Sequence, residues 1–405
     1  MVRFVTLAGG CEVWRGPPRV RGRTTTPCAV MHAMRSGDNK MRKCIDLTMN
    51  FLVGAGILVK TFGIRASPGQ SCRMIRRSVG ALLWASLFLN LATVTANAAD
   101  PVTFGIDWRA EAEYGGYYQA VANGIYAKHG VEVTIREGGP QVNQMQLLMA
   151  GRLDFNLGGG RAIEFVQNHL PYVAIAAIFQ KDPAVLIAHP GQGNDSFAAL
   201  KGKPIAVASD ARQSWFKFLA AKYGYTDAQT RLYTFNMAPF LADKTLIQQG
   251  YLGSEPFVIR QTSGIEPVVL LVADGGYKGY SNIVTASRKI VDEKPDLVRR
   301  FVDASIEGWY SFLYTDPAPA NRLIKAANPE MTDALLAYGR KVMKDHGIVD
   351  SGDALTLGIG AMTPARWAEF YHAMVAVGVY PDGIDVSQAY VTQFVNHRVG
   401  MATKQ

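Results

Sequence analysis

Past Cys72 this chain contains no cysteine. All four, Cys11, Cys28, Cys44 and Cys72, fall within the first 73 of 405 residues, so the remainder has no thiol to form a disulfide, ligate a metal or attack a substrate. Catalytic spacings are missing as well. There is no G-x-S-x-G and no H-E-x-x-H, and His129, His169, His189, His346, His372 and His397 are dispersed, as structural or solvated histidines usually are. Neither G-x-G-x-x-G nor the Walker spacing occurs, so nucleotide binding has no phosphate loop to rest on.

Positive charge is abundant overall and scarce where it would matter. The net charge is +9, but residues 1–98 carry 14 Lys and Arg against Glu12, Asp38 and Asp46, and the other 307 residues carry 28 against 30 acids. The body of the protein is therefore close to neutral. It also lacks basic patches interleaved with aromatics, which excludes a nucleic-acid surface.

What is present begins at Met74. Arg76 and Arg77 precede an apolar run over about 79–94, which ends in Ala96-Asn97-Ala98. A basic start, a short apolar middle and an A-x-A end make a cleavable export signal at 74–98, with cleavage after Ala98. The run is shorter than the ~20 residues a membrane span requires. No cysteine follows it to accept a lipid, so a soluble product is expected. Residues 1–73, with Met31, Met34, Met41 and Met49 and no sustained periodicity, are expected to be an upstream mis-start or an unstructured extension.

From Ala99 onward, short apolar runs (102–106, 131–135, 172–179, 204–209, 231–235 and 266–273) alternate with helical stretches such as YYQAVANGIYAKHG, QVNQMQLLMAG and WFKFLAAKYG, each closing near a glycine suited to a left-handed helix end. The pattern predicts an α/β fold of mixed, mainly parallel sheets flanked by helices, with a helical C-terminal part after Ser287. There Leu297, Phe301, Ile306, Trp309, Phe312, Tyr338, Trp367 and Phe370 are read as core. Two segments repeat one plan, strand, polar loop, helix ending in Gly, strand, and open two lobes: 99–190 plus 281–405, and 191–280. The crossings are expected at AVLIAHP (184–190) and SNIVTAS (281–287), forming a two-stranded hinge. Ligands in such sheets bind beyond the carboxyl ends of the strands, where the loops of both lobes meet.

The post-strand loops supply the candidate ligand contacts. Trp108, next to Gly115, Gly116 and the tyrosines Tyr114, Tyr117 and Tyr118, offers either a face for an aromatic ring or a buried wedge. Glu111 and Glu113 are candidate acceptors for an amino group. The stretch 154–161, read as a loop, presents Gly158, Gly159 and Gly160 before a helix start, where backbone N–H groups can meet a ligand. Gln180, Asp210, Arg212, Asn236 and Glu255 each follow an apolar run and can converge on the same cleft.

D-W-x-A-E-A-E-x-G-G-x-Y-Q-A, then D-F-N-L-G-G-G, FQKDP, FNMAPFLADK and QQGYLGSEPF, resemble the bacterial periplasmic binding proteins of the thiamine-pyrimidine-precursor family, relatives of the nitrate, sulfonate, taurine and riboflavin binding components of ABC importers. The resemblance implies a type II two-lobed binding protein. It also implies a periplasmic monomer serving an inner-membrane ABC permease and ATPase, with no cofactor, no metal and no catalytic residue. Carried over by residue, Trp108 would stack on a heterocycle and Glu255 would hold an exocyclic amine, with Tyr117, the 158–160 backbone and Asn236 supporting. Pyrimidine-binding members show W-x-P-N-x-x-H-x-G; the Pro, Asn and His are absent here, which leaves the sulfonate, taurine, nitrate and riboflavin alternatives open. Eukaryotic relatives are pyridoxal-dependent pyrimidine synthases with a cysteine cluster. For an enzyme of that kind Lys181 or Lys203 would have to form the Schiff base.

Overall fold

The computed structural model describes residues 98–139, 142–158 and 161–404. Apart from Ala98, the expected export signal and everything before it lie outside these residues, as do Gly159 and Gly160. The chain lays down β1 (Asp100–Gly105), β2 (Val131–Arg136), β3 (Phe155–Gly158) and β4 (Tyr172–Phe179). It continues with β5 (Ala184–Ala188), β6 (Ile205–Val207), β7 (Thr230–Leu232), β8 (Ile247–Tyr251) and β9 (Val268–Leu271), and ends its sheet-forming part with β10 (Ser281–Ser287).

These strands form two five-stranded sheets, β2-β1-β3-β10-β4 and β7-β6-β8-β5-β9. In each, three parallel strands are followed by one antiparallel to both its neighbours. That antiparallel strand is always the one made just after the chain changes sheet: β5 follows β4 across residues 180–183, and β10 follows β9 across 272–280. The second sheet is built from the contiguous run β5–β9 and the first is completed by β10 after the chain returns, and both sheets are mixed.

Three expectations need correction. AVLIAHP is not itself a crossing: every residue of β5 is buried, and it pairs with β8 on one side and β9 on the other. The first crossing is therefore at 180–183, and 184–190 belongs to the second lobe; SNIVTAS is likewise no crossing but the strand β10, paired with β3 and β4, and the second crossing is at 272–280. In addition, 155–158 is not loop but β3, bonded to both β1 and β10. Its near-continuous burial suits a central strand covered on both faces.

The long helix Pro295–Tyr314 covers the first sheet, with Leu297, Phe301, Ile306, Trp309 and Phe312 buried as their spacing predicts. It packs against the helix Gly115–Ala122 with almost no side chain between the backbones. A Cβ at Gly116 would lie 2.2 Å from Trp309 Cγ, and one at Gly308 would lie 2.3 Å from the Gly116 carbonyl oxygen. The glycine pair beside Tyr114 therefore serves helix packing. Gly130, Gly151 and Gly224, which close the three expected helical stretches, all take positive φ.

Candidate ligand-binding cleft

Loops following β1, β6, β7 and β8 face one another between the sheets. The first is held rigidly. Ala110 N–H donates to Glu137 Oε2 (3.1 Å), Gly138 N–H to the Trp108 carbonyl (3.0 Å), and Asn328 Nδ2 to the Ala110 carbonyl (2.9 Å). Trp108 is thereby presented half-buried, and its ring lies 4.6 Å from that of Phe235, which comes from the second lobe. The run 231–235 was expected as strand, but β7 stops at Leu232, releasing Tyr233 to Asn236 into the cleft-side loop. Phe235 is 5.3 Å from Tyr233, whose hydroxyl donates to Glu255 Oε1 at 3.5 Å.

Acids line the same region. Glu113 is 2% exposed, and its Oε1 has no hydrogen-bond partner. It faces the second lobe at Gly253. Glu255, half-buried at the first position of the helix Glu255–Ser263, accepts from Tyr251 N–H at 2.7 Å. Asp107, in the loop after β1, accepts from the Tyr114 hydroxyl at 2.9 Å, which turns its carboxyl toward the protein.

Burial raises every one of these carboxyls. Glu113 is pushed up to about 7, first by desolvation and then by the charge of Glu255. Glu111 is held well above the carboxylate range by desolvation and by its acidic neighbours Glu113, Glu255 and Asp107. Asp107 and Glu255 are raised by desolvation too, the latter against the bonds it accepts from Tyr251 and Tyr233. A carboxyl whose neutral form is favoured can accept hydrogen bonds from N–H groups through its carbonyl oxygen and donate through its O–H.

Not every expected contact is here. Tyr117 is fully buried, its hydroxyl donating to Asn282 Oδ1 (2.8 Å) and its ring packed on Phe104 and Trp309; it is a core residue. Gln180 is spent at the hinge. Its amide donates to the Ala177 and Ala361 carbonyls, and its Oε1 accepts from Arg366, which also donates to the Gln180 and Lys278 carbonyls and so ties both crossings together. Asp210 is exposed in the first turn of Ser209–Gln213, and Arg212 on that helix has a buried Nε without an acceptor. Asn236 is exposed, its Oδ1 accepting from Ala238 N–H. Gly158 ends β3 toward the same side.

Phe235, Tyr233 and Tyr251 were passed over at the sequence level. Phe235 stands beside Asn236 in a post-strand loop, and an aromatic in that setting was the available signal.

The lysines that a Schiff base would need point elsewhere: Lys181 Nζ donates to the His346 carbonyl, and Lys203 Nζ to the Gln192 and Gly193 carbonyls. Among the described residues no group of three or more His, Cys, Asp or Glu is arranged for a metal, and no helix is long and apolar enough to cross a membrane. Two open cavities of about 670 and 630 Å³ lie away from the cleft. One is over the hinge around Lys181, Lys278 and Arg366, and the other is beside His169 and Pro381.

A family model described as "NMT1/THI5 like" matches residues 111–320, just over half of the chain. The chain belongs to the NMT1/THI5-like family. Among curated relatives, the riboflavin-binding protein RibY of Chloroflexus aurantiacus is 26% identical over 304 residues, spanning 73% of this chain and 86% of RibY. Among solved structures, the periplasmic aliphatic sulphonate binding protein SsuA of Escherichia coli superposes with a TM-score of 0.56 at 13% identity, over 72% of this chain and 92% of SsuA. A Bordetella bronchiseptica protein reaches 0.57 at 17% identity, over 76% and 99%. This NMT1/THI5-like chain thus has the two-lobed α/β fold of the periplasmic binding proteins.

Proposed function

We propose that this protein is the solute-binding component of an ABC importer, and that it takes a planar nitrogen heteroaromatic of flavin or pyrimidine type between its lobes. The observation that carries the reading is the cleft's composition: the Trp108–Phe235 aromatic pair beside Glu111, Glu113, Glu255 and Asp107. Aromatic faces bind a flat ring, and carboxyls accept from ring or exocyclic N–H groups. The binding named for RibY falls in this chemical class. A sulfonate is the second reading, favoured by the unpartnered Arg212 Nε; an aliphatic sulfonate has no flat face for the Trp108–Phe235 pair. Export to the periplasm is part of the proposal, with a mature N-terminus at Ala99. The partners are an inner-membrane permease and its ATPase, which would engage the closed, loaded form.

Thermal melting with riboflavin, an aminopyrimidine and taurine tests the ligand class. A true ligand at 100-fold excess over its Kd stabilises by about 2.7 kcal/mol. A shift with taurine alone would replace the heteroaromatic reading by the anionic one. N-terminal sequencing of exported protein tests Ala99.

A further inference from the structure

Phe235 combines three properties that a packing residue seldom has together. It is 43% exposed, its φ of +59° lies in the left-handed region that bulky side chains avoid, and its ring crosses the cleft to lie 4.6 Å from that of Trp108. Tyr233 supports it from behind at 5.3 Å, and the next residue, Asn236, fixes the loop through its bond from Ala238 N–H. A flat ring sandwiched between two aromatics needs roughly 7 Å between them, twice the carbon contact distance of about 3.5 Å. The space between Trp108 and Phe235 cannot hold one.

We infer that Phe235 is a displaceable lid. It caps Trp108 in the ligand-free protein, leaves that face when a flat ligand arrives, and closes over the bound ring. It thereby selects for ligands whose stacking on Trp108 outcompetes its own. A small aliphatic solute, with no π face, does not repay its displacement, so the lid is also a specificity element. Backbone strain stored at a site that must move fits this role, because a shift of the loop lets Phe235 leave the left-handed conformation. This inference rests on the heteroaromatic reading of the cleft, and its test separates the two.

Acrylamide quenching of Trp108, taken as the difference between wild type and W108F, is measured on ligand-free protein. In F235A the quenching constant of Trp108 rises, and F235Y restores the wild-type value. With riboflavin as probe, stopped-flow fluorescence shows dissociation about tenfold faster from F235A than from wild type, the size of one lost aromatic contact. Equal quenching in F235A and wild type overturns the lid, as does unchanged riboflavin dissociation. If wild type binds neither riboflavin nor an aminopyrimidine, the heteroaromatic reading and the displacement step fall together. Quenching then reports on the capping contact alone.

Discussion

Glu113 in the first lobe presses against Gly253 in the second so closely that a Cβ at position 253 would lie 2.1 Å from Glu113 Oε1 and 3.3 Å from the Cα of Gly339. Gly339 belongs to the helix Asp333–Asp345, so three segments meet at a seam with no room for one methyl group. This close contact between the lobes depends on glycine at 253. Gly253→Ala is expected to hold the lobes apart and, at an overpacking cost of about 1–3 kcal/mol, weaken ligand binding roughly 10- to 100-fold. The melting temperature should change little. Titration of the variant beside wild type checks this; an unchanged affinity would show that the seam accommodates the methyl group by moving the Glu113 side chain.

The same carboxyl makes stability depend on pH in a direction opposite to the usual acid. Glu113 holds its proton up to about pH 7 when folded, against about 4.5 in the unfolded chain, because burial penalises its charge. Between those values the native state binds more protons, so this contribution is full below about pH 4.5, falls as pH rises through 7, and is constant above. Asp182, raised by burial to about 6, adds a loss of the same sign at lower pH. Urea midpoints across this range should decline more steeply for wild type than for E113Q. Equal slopes would show that Glu113 is not buried as its carboxyl.

Two tryptophans should behave oppositely. Trp309 is fully buried between helix and sheet, and Trp309→Ala is expected to cost about 3–5 kcal/mol. Trp108 sits half-buried on its anchored loop, so Trp108→Ala should cost about 1 kcal/mol or less while abolishing ligand affinity. Denaturant unfolding together with ligand titration distinguishes them. A Trp108→Ala protein that unfolds early yet binds normally would place this ring in the core.

Gly116→Ala puts a methyl group 2.2 Å from the Trp309 ring. Helix Gly115–Ala122 must then move off helix Pro295–Tyr314, and a destabilisation of about 1–3 kcal/mol is expected with affinity per folded molecule unchanged. A selective loss of binding would instead put this glycine in the ligand site.

How much of this was legible beforehand depends on the range of the interaction. β2 announces itself by alternation, β4 by an unbroken apolar run and Pro295–Tyr314 by the period of its buried face, and Gly130, Gly151 and Gly224 mark helix ends because a positive φ is a local demand. The short, glycine-ended β3 was hidden because what makes it a strand is its pairing with β1 and β10, and β10 lies more than 120 residues downstream.

Site residues divide along the same line. That Trp108, Glu113 and Glu255 follow strands is written in the sequence; that Tyr117 and Gln180, in equally suggestive positions, are consumed by Asn282 and by the hinge is not. The sequence by itself determined a near-neutral, thiol-free α/β body of two similar lobes after a basic first 98 residues, since composition and hydrophobic period act over a few residues. Only the tertiary structure decided where the chain crosses between sheets, which late strand completes the first sheet, and which side chains meet across the cleft. Pairing, burial and the contacts of Phe235 with Trp108 and Glu113 with Gly253 join residues some 125 to 140 positions apart, and no local signal encodes which distant partner will fill the space.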